Sequence, residues 1–398
     1  MYADLQQKTD LLQTIFRAEW DVHQQQGYPL GYINNPDGSI RWIFPAGQKR
    51  PLHLSLYNSA HLKAQIYKML SRVSYKLGQK KRLWSGQFWL PEDFHSPLLF
   101  EINKLEADGY AIFTGTPGEN RKSVVSIHQK GSPRYFLKVP HTPKSASNLQ
   151  HEFDILQGLQ QHNLRYLSIS NAVFLPNLEA LQISNLRQSG AREVPMLQSQ
   201  HLSAISELGA LTAKRQQIRV WPECQRIERD LQRISTYVVQ DTSLGVAQIK
   251  RIHSGLRFIY DNLMLQDWIG VSLAHGDFTS WNCLVFPNRV AVYDWELANP
   301  SYPALFDLFH FIYQTNVLLL RSSYKRVARN IKDALASPGI QGLMYSLPQP
   351  ASFYHQLYLL VNCSYYLRIY MDEPTVHAQV HWLLEMWDQA LQHLHHAP

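Results

Sequence analysis

The spacing of apolar and polar positions changes character twice along the 398 residues. Residues 1 to about 100 are mixed. Residues 32–43 read as a hairpin, two β-rich runs around an Asn35-Pro36-Asp37-Gly38 turn, where Pro sets φ and Gly accepts a positive φ. Ser59 then opens a predicted helix that carries Leu62, Ile66, Met69, Val73 and Leu77 on one face. Lys80-Lys81-Arg82 follows, either as a solvated helix end or as a phosphate or lipid-headgroup contact. From about 108 to 185 short strand-like runs predominate, at 110–113, 124–128, 134–139, 172–175 and 180–183. Between the third and fourth lies a helix with Ser147 as expected N-cap and Leu149, Phe153 and Leu156 at spacings of 4 and 3. From about 200 the period is helical, at 201–213, 222–239 and 246–265. A β island at 283–286 and 290–294 interrupts it, and helices resume after Ala304. No internal repeat is present. The pattern predicts a small β-rich lobe followed by a larger α-rich one.

Composition makes this a folded chain. Hydrophobic residues are 45% and aromatics 12%, with 10 Trp, enough apolar surface to build a core. The charge balance of 38 basic against 31 acidic residues, +7, suits an anionic ligand or an acidic surface. It is too diffuse to indicate nucleic-acid binding. No apolar run approaches the ~18 residues of a membrane span, and the opening residues lack a basic-then-apolar leader. The expectation is a cytoplasmic protein, with peripheral membrane contact left open. Cys224, Cys283 and Cys363 are far apart and read as reduced thiols.

The candidate chemistry centres on His275-Gly276-Asp277-Phe278-Thr279-Ser280-Trp281-Asn282, with Asp294 twelve residues after the asparagine. Asp277, Asn282 and Asp294 offer carboxylate and amide oxygens on a short loop and the hairpin behind it. Such oxygens suit Mg²⁺, which keeps several waters and bridges to phosphate. A carboxylate five residues before the amide can stand apart from the metal and face an acceptor hydroxyl. A second pattern, His377, His381 and Glu385 at spacings of 4, has metal-ligand spacing, but it reads as a surface or interface face of a C-terminal helix.

The motif resembles the aminoglycoside-phosphotransferase-like branch of the protein-kinase fold, which includes choline kinase and sugar-kinase enzymes. Its signature is His-Gly-Asp-x4-Asn followed by Asp-x-Asp/Glu, which residues 275–282 and 294–296 match. The resemblance implies Asp277 as catalytic base and Asn282 and Asp294 as Mg²⁺ ligands. His275 would brace the loop, and Glu296 would give polar support. In Tyr302-Pro303-Ala304-Leu305-Phe306-Asp307-Leu308 it implies that Asp307 holds the catalytic-loop backbone. A kinase fold also needs a strand lysine for the nucleotide phosphates and a helix glutamate to hold it. Lys138 and Glu152, 14 residues apart, fill these places. A lone charge inside an apolar strand is costly to bury unless it is paired. Gly115 and Gly118 stand where the phosphate loop belongs without the full glycine pattern, and Arg121 or Lys122 would add charge there.

The expected fold is therefore α+β and bilobal, protein-kinase-like, covering about residues 105–390. Its parts are an N-terminal extension (1–104), a β-rich N-lobe with one key helix (105–188) and a helical C-lobe (189–398). The expected activity is transfer of the γ-phosphate of ATP (or GTP), with Mg²⁺, to a hydroxyl of a small molecule. Acids are few after the metal site, and basic residues balance them, which disfavours a polycationic aminoglycoside. A sugar or glycan hydroxyl is preferred. A choline-like amino alcohol and a non-catalytic pseudokinase scaffold remain alternatives. A protein substrate is disfavoured because the chain runs from Asp294 to Asp307 with no room for a long activation segment. The expected acceptor site is concave, beside Asp277, and lined by Trp, Tyr and neutral polar groups. The sequence does not specify the oligomeric state.

Overall fold

A computed structural model describes residues 2–19, 26–56, 62–187, 190–237, 245–373 and 376–395. Its residues form two compact units, Met1–Gln161 with Ser170–Leu186, and His162–Ile169 with Arg187–Pro398. The architecture is mixed α+β, a sheet unit followed by a helical one.

The first unit is built on one eight-stranded sheet. Its elements are α1 (Tyr2–Phe16), β1 (Tyr28–Asn34), β2 (Ile40–Pro45), α2 (Leu62–Lys76), β3 (Gly86–Leu90), α3 (Pro97–Lys104), β4 (Gly109–Phe113), β5 (Lys122–Gln129), β6 (Ser132–Pro140) and α4 (Pro143–Gln160). After β7 (Leu167–Ser168), which belongs to the second unit, come β8 (Ala172–Leu175) and β9 (Ala180–Ser184). The strand order is β3-β1-β2-β4-β5-β6-β9-β8, and every neighbouring pair is antiparallel. Residues 1–104 are thus part of the same sheet. Strand β2 pairs with β4 at Trp42↔Phe113 and Ile43↔Ile112. On one face, Leu12, Ile15 and Phe16 of α1 and Leu98 and Ile102 of α3 pack with Ile43, Val125, Leu137 and Val139. The two-residue pleat then turns Lys138, between Leu137 and Val139, to the other face.

Three local readings change. The N-cap of α4 is Thr142, whose hydroxyl accepts from Ser145 N–H with Pro143 in the first turn, and Ser147 lies inside the helix. A cap and a proline at N1 together outweigh an isolated serine. Ser59, the expected opening of α2, lies outside the described residues. The apolar stripe on α2 points outward, with Ile66, Met69, Val73 and Leu77 exposed, while Ser71 and Tyr75 face in.

The second unit holds two three-stranded sheets and most of the helices. One sheet is β10 (Lys214–Gln217), β11 (Trp268–Ala274) and β14 (Asn299–Pro303), in the order β10-β11-β14. The other is β12 (Cys283–Val285), β13 (Val290–Val292) and β7. The helices are α5 (Ser199–Thr212), α6 (Pro222–Tyr237), α7 (Val246–Leu263), α8 (Phe306–Gln314), α9 (Tyr324–Leu335), α10 (Pro338–Met344), α11 (Ala351–Asp372) and α12 (Ala378–His395). Every residue of α8 is buried, including Asp307 and His310. No helix among the described residues is long and apolar enough to cross a membrane.

Candidate active site

In the first unit the structure brings Lys138 and Glu152 together. The Lys138 ammonium donates to both Glu152 carboxylate oxygens, at 2.7 and 2.8 Å. Both side chains are buried. Asp154, two residues further along α4, is exposed and accepts from Gln150. Gly115 and Gly118 lie in the turn between β4 and β5. Gly115 has φ +78°, and a Cβ there would meet the Lys122 carbonyl oxygen at 2.1 Å, so only glycine closes this turn. Gly118, at φ +141°, has open space beside it. Arg121 is spent on the loop itself, its Nε donating to the Thr114 carbonyl at 3.2 Å.

In the second unit the loop of residues 275–282 leaves the C-terminal end of β11. Gly276 makes the first corner at φ +81°, where a Cβ would lie 2.2 Å from the Leu297 carbonyl oxygen. Asp307 holds this corner. Its carboxylate accepts the His275 N–H at 2.7 Å and the Gly276 N–H at 3.1 Å. Burial pushes the Asp307 carboxyl above its ordinary pKa, opposed by His275, these two N–H donors and His310. The His275 ring spans the loop and the hairpin. Its Nε2 lies 2.7 Å from the Tyr293 carbonyl, and its Nδ1 accepts the Asp277 N–H at 3.2 Å. A carbonyl only accepts and an amide N–H only donates, so the ring proton belongs on Nε2. The Trp295 ring meets the imidazole edge-on, at 4.6 Å between centroids.

Residues 277–282 close as a compact turn, with Asn282 N–H donating to the Thr279 carbonyl at 3.1 Å. Asn282 Nδ2 donates to the Asp277 backbone carbonyl at 3.0 Å and to its Oδ2 at 2.8 Å. Strand β12 then pairs with β13 at Cys283↔Val292, and Tyr293 N–H donates to the Asn282 carbonyl at 3.0 Å. This hairpin returns the chain to the loop at Asp294. Asp294 is left-handed, φ 61° and ψ 63°, at the start of a 3-10 turn that carries Glu296. A non-glycine residue in that region is uncommon and is found disproportionately at functional sites.

One residue of the site has no counterpart in the sequence reading. His310 of α8 places Nε2 3.2 Å from Asp277 Oδ1, and the His310 side chain is fully buried. Both Asp277 oxygens thus have a partner while the side chain stays 30% exposed. The available signal was position, since His310 lies three residues after Asp307 and hence on the same helix face. Within the short run from Asp294 to Asp307 lie residues 299–303. They form β14, whose Tyr302 and Pro303 pair with Ser272 and Val271 of β11.

A cavity of about 240 Å³ lies where α8 ends, walled by Met196, Leu202, Phe311, Thr315, Asn330 and Asp333 among others. Neither Trp nor Tyr lines it, and Asp277 is not among its walls. Trp221, Trp295, Trp387, Tyr313, Tyr354 and Tyr358 are fully buried packing units, whereas Trp281, on the loop between Asp277 and Asn282, is 38% exposed. His377 precedes α12, and its Nδ1 accepts the Gln379 N–H. Among the described residues no group of three His, Cys, Asp or Glu gathers to hold a metal.

No curated protein matches the chain. Among solved structures, it is similar to a choline/ethanolamine kinase family protein from Mesorhizobium loti, at 13% identity over 72% of this chain and 88% of that one, TM-score 0.44. An aminoglycoside phosphotransferase from Alicyclobacillus acidocaldarius shares 15% identity over 71% and 92%, TM-score 0.40. A glucosamine kinase shares 14% over 75% and 83%, TM-score 0.44. The model of the phosphotransferase enzyme family matches residues 113–318, which is over half of the chain. That span runs from the last residue of β4 through the Lys138–Glu152 pair to the Asp307 helix, and the chain belongs to this family.

Proposed function

We propose that the chain is an ATP-dependent kinase that phosphorylates a hydroxyl of a small, neutral polyol, preferably a sugar or glycan intermediate, with Asp277 as the base. The observation that carries this reading is the setting of Asp277. It is partly open, oriented from two sides by Asn282 and His310, on a loop whose backbone Asp307 holds. Phosphoryl transfer needs little covalent chemistry from the protein and much positioning. Each carboxylate oxygen has two lone pairs, so Asp277 can still accept the acceptor's hydroxyl proton as the new O–P bond forms and the bond to the nucleotide breaks.

The donor set fits Mg²⁺. The Asn282 amide oxygen and the Asp294 carboxylate are hard oxygen ligands of the kind Mg²⁺ takes alongside water and phosphate. When bound, the ion would neutralise charge on the phosphate oxygens. Lys138, held by Glu152, supplies the cation for the nucleotide phosphates, with the Gly115–Gly118 turn as their backbone neighbour. His275 and Glu296 belong to the support of the loop and of the metal site.

Two features favour a neutral acceptor. Of the six acids from residue 307 onward, Asp307 holds the loop, Asp372 pairs with Arg233 and Asp388 with Arg251, which leaves only Asp333, Glu373 and Glu385. Neutralised acids make a poor wall for a polycation. The segment from Asp294 to Asp307 is a 3-10 turn followed by β14, too short to hold the long activation segment along which a peptide would lie.

The test is a nucleotide-turnover screen across sugars, amino alcohols and aminoglycosides, run with wild type and Asp277→Asn. We expect turnover with a sugar-class acceptor that falls by roughly two to four orders of magnitude in the variant while ATP binding persists. Full activity of Asp277→Asn on that acceptor would remove the assigned role. Turnover confined to aminoglycosides would replace the acceptor class.

A further inference from the structure

Helix α2 is amphipathic in an unusual sense, because its apolar stripe faces out. Ile66, Met69, Leu70, Val73 and Leu77 recur at helical spacing and are each between 45% and 67% exposed. The opposite face anchors the helix to its own unit. Ser71 and Tyr75 are buried there, and the Tyr75 ring lies 6.4 Å from the His53 ring, which stacks on Phe44. Such a stripe normally seats a helix on its core. Here the core side is filled by other residues, and five large apolar side chains remain at the surface.

Along the chain on either side of the stripe, charge has one sign. From residue 38 to residue 91 the chain contains ten Lys or Arg and no Asp or Glu, which exceeds the formal surplus of +7 for the whole protein. Arg72 and Lys76, both exposed, follow one another along one edge of the stripe. Beyond the helix, Lys80 pins the next turn to the end of β2, its ammonium donating to the carbonyls of Ala46 and Gln48 at 2.7 and 2.8 Å. That fixed turn carries Lys81 and Arg82, both exposed. Apolar side chains flanked by cations on a surface helix match an anionic lipid surface. The apolar residues enter the headgroup boundary, and the cations meet phosphate oxygens beside it.

We propose that α2 and the turn of residues 80–83 form a peripheral membrane-binding face that docks on a bilayer bearing anionic phospholipids. The occupant is the bilayer surface, because apolar insertion and phosphate pairing lie side by side. An acidic protein would leave the stripe without a matching use. The face is independent of the reading of the active site, since none of its residues belongs to that site.

Vesicle co-sedimentation of the full-length protein tests this. Phosphatidylcholine vesicles with and without phosphatidylglycerol are compared for wild type, Met69→Ser/Leu70→Ser/Val73→Ser and Arg72→Gln/Lys76→Gln/Lys81→Gln. All six positions are exposed, and an unchanged thermal midpoint checks that each variant is folded. Wild type should bind the anionic vesicles, ignore the neutral ones and release in high salt. At about fivefold per charge, the charge variant should lose roughly 100-fold in partitioning. The apolar variant should lose binding to the same vesicles. No binding of wild type to anionic vesicles, or equal binding by the apolar variant, overturns the proposal. Concentration-dependent dimerisation that the apolar variant abolishes, without vesicle binding, also overturns it and assigns the face to a second copy of the chain.

Discussion

The Lys138–Glu152 pair allows stability and nucleotide binding to be separated in one experiment. Glu152→Gln keeps the shape of the side chain and removes its charge. In the native unit the two groups make contacts at 2.7 and 2.8 Å, with the Lys138 side chain 6% exposed and that of Glu152 1%. Water therefore cannot replace the lost carboxylate, and the buried ammonium loses the charge that accepts from it at 2.7 and 2.8 Å. Breaking such a pair costs about 3–5 kcal/mol. Removing both partners is different, because a buried ion pair and an apolar pair of similar volume are often nearly equal in stability. The Lys138→Met/Glu152→Leu variant should return to within about 1 kcal/mol of wild type. Urea unfolding followed by far-ultraviolet circular dichroism gives the three stabilities, and calorimetric titration with ATP and Mg²⁺ gives binding. On the proposed role of Lys138, the double variant is as stable as wild type and yet fails to bind nucleotide. If Glu152→Gln costs less than about 1 kcal/mol, or the double variant is as unstable as the single one, the buried-charge reasoning is wrong.

Three further outcomes follow from the site and the core. His310→Ala removes the donor from Asp277 Oδ1, and a base free to swing should lower kcat by roughly 10- to 100-fold with little change in KM for ATP. His310→Gln, which can donate again, should recover part of the loss, and an unchanged kcat in His310→Ala would dismiss the contact. Gly276→Ala combines φ +81° with a 2.2 Å approach to the Leu297 carbonyl and should cost more than about 2 kcal/mol, whereas Gly342→Ala in α10, with nothing within 4 Å, should be neutral or slightly stabilising in the same urea assay. His53, His201 and His355 are buried, and burial lowers each to about 4, so the unfolded chain takes up protons first as pH falls. Their contribution is complete above about pH 6.5 and is lost on the way down to about pH 4, on the order of 3 kcal/mol each, so the urea midpoint should drop from pH 7 to pH 5.

The parts of the fold legible in the sequence were those whose signal is local. Strands β4 to β6 are short runs rich in β-branched and aromatic residues, and Lys138 stood out as the lone charge in the apolar run from Tyr135 to Val139. The catalytic loop was legible because its residue types are fixed by chemistry at short spacing. What escaped depends on distant partners. Strands β10 and β14 are polar or Pro-containing and become strands by pairing with β11. The hairpin of residues 32–43 reads locally, but its membership in the sheet rests on β2 pairing with β4 some 70 residues away. Helix α2 gave a clear helical period, and periodicity says where a stripe lies without saying which side the rest of the chain will cover. His310 was invisible for a similar reason, because a histidine inside an apolar helix reads as core until its neighbour across the turn is known.

The choice of an amide at position 282 ties these observations together. Asn282 Nδ2 donates to Asp277 Oδ2 at 2.8 Å, so position 282 must present an N–H to the proposed base. A carboxylate there would set two negative oxygens face to face. An amide also carries an oxygen, on the opposite side of the same planar group from that N–H. One side chain can therefore orient the proposed base with its nitrogen while offering its oxygen to the cation. Neither a carboxylate nor an ammonium can do both. The hairpin then keeps Asp294 in step, since Tyr293 N–H is bonded to the Asn282 carbonyl and Tyr293 O to His275. A shift of the metal side of the loop is passed to Asp277 through Asn282, and His310 from the buried helix opposes it. On this reading the base and the cation ligands move as one body, which is what a reaction that depends on positioning requires.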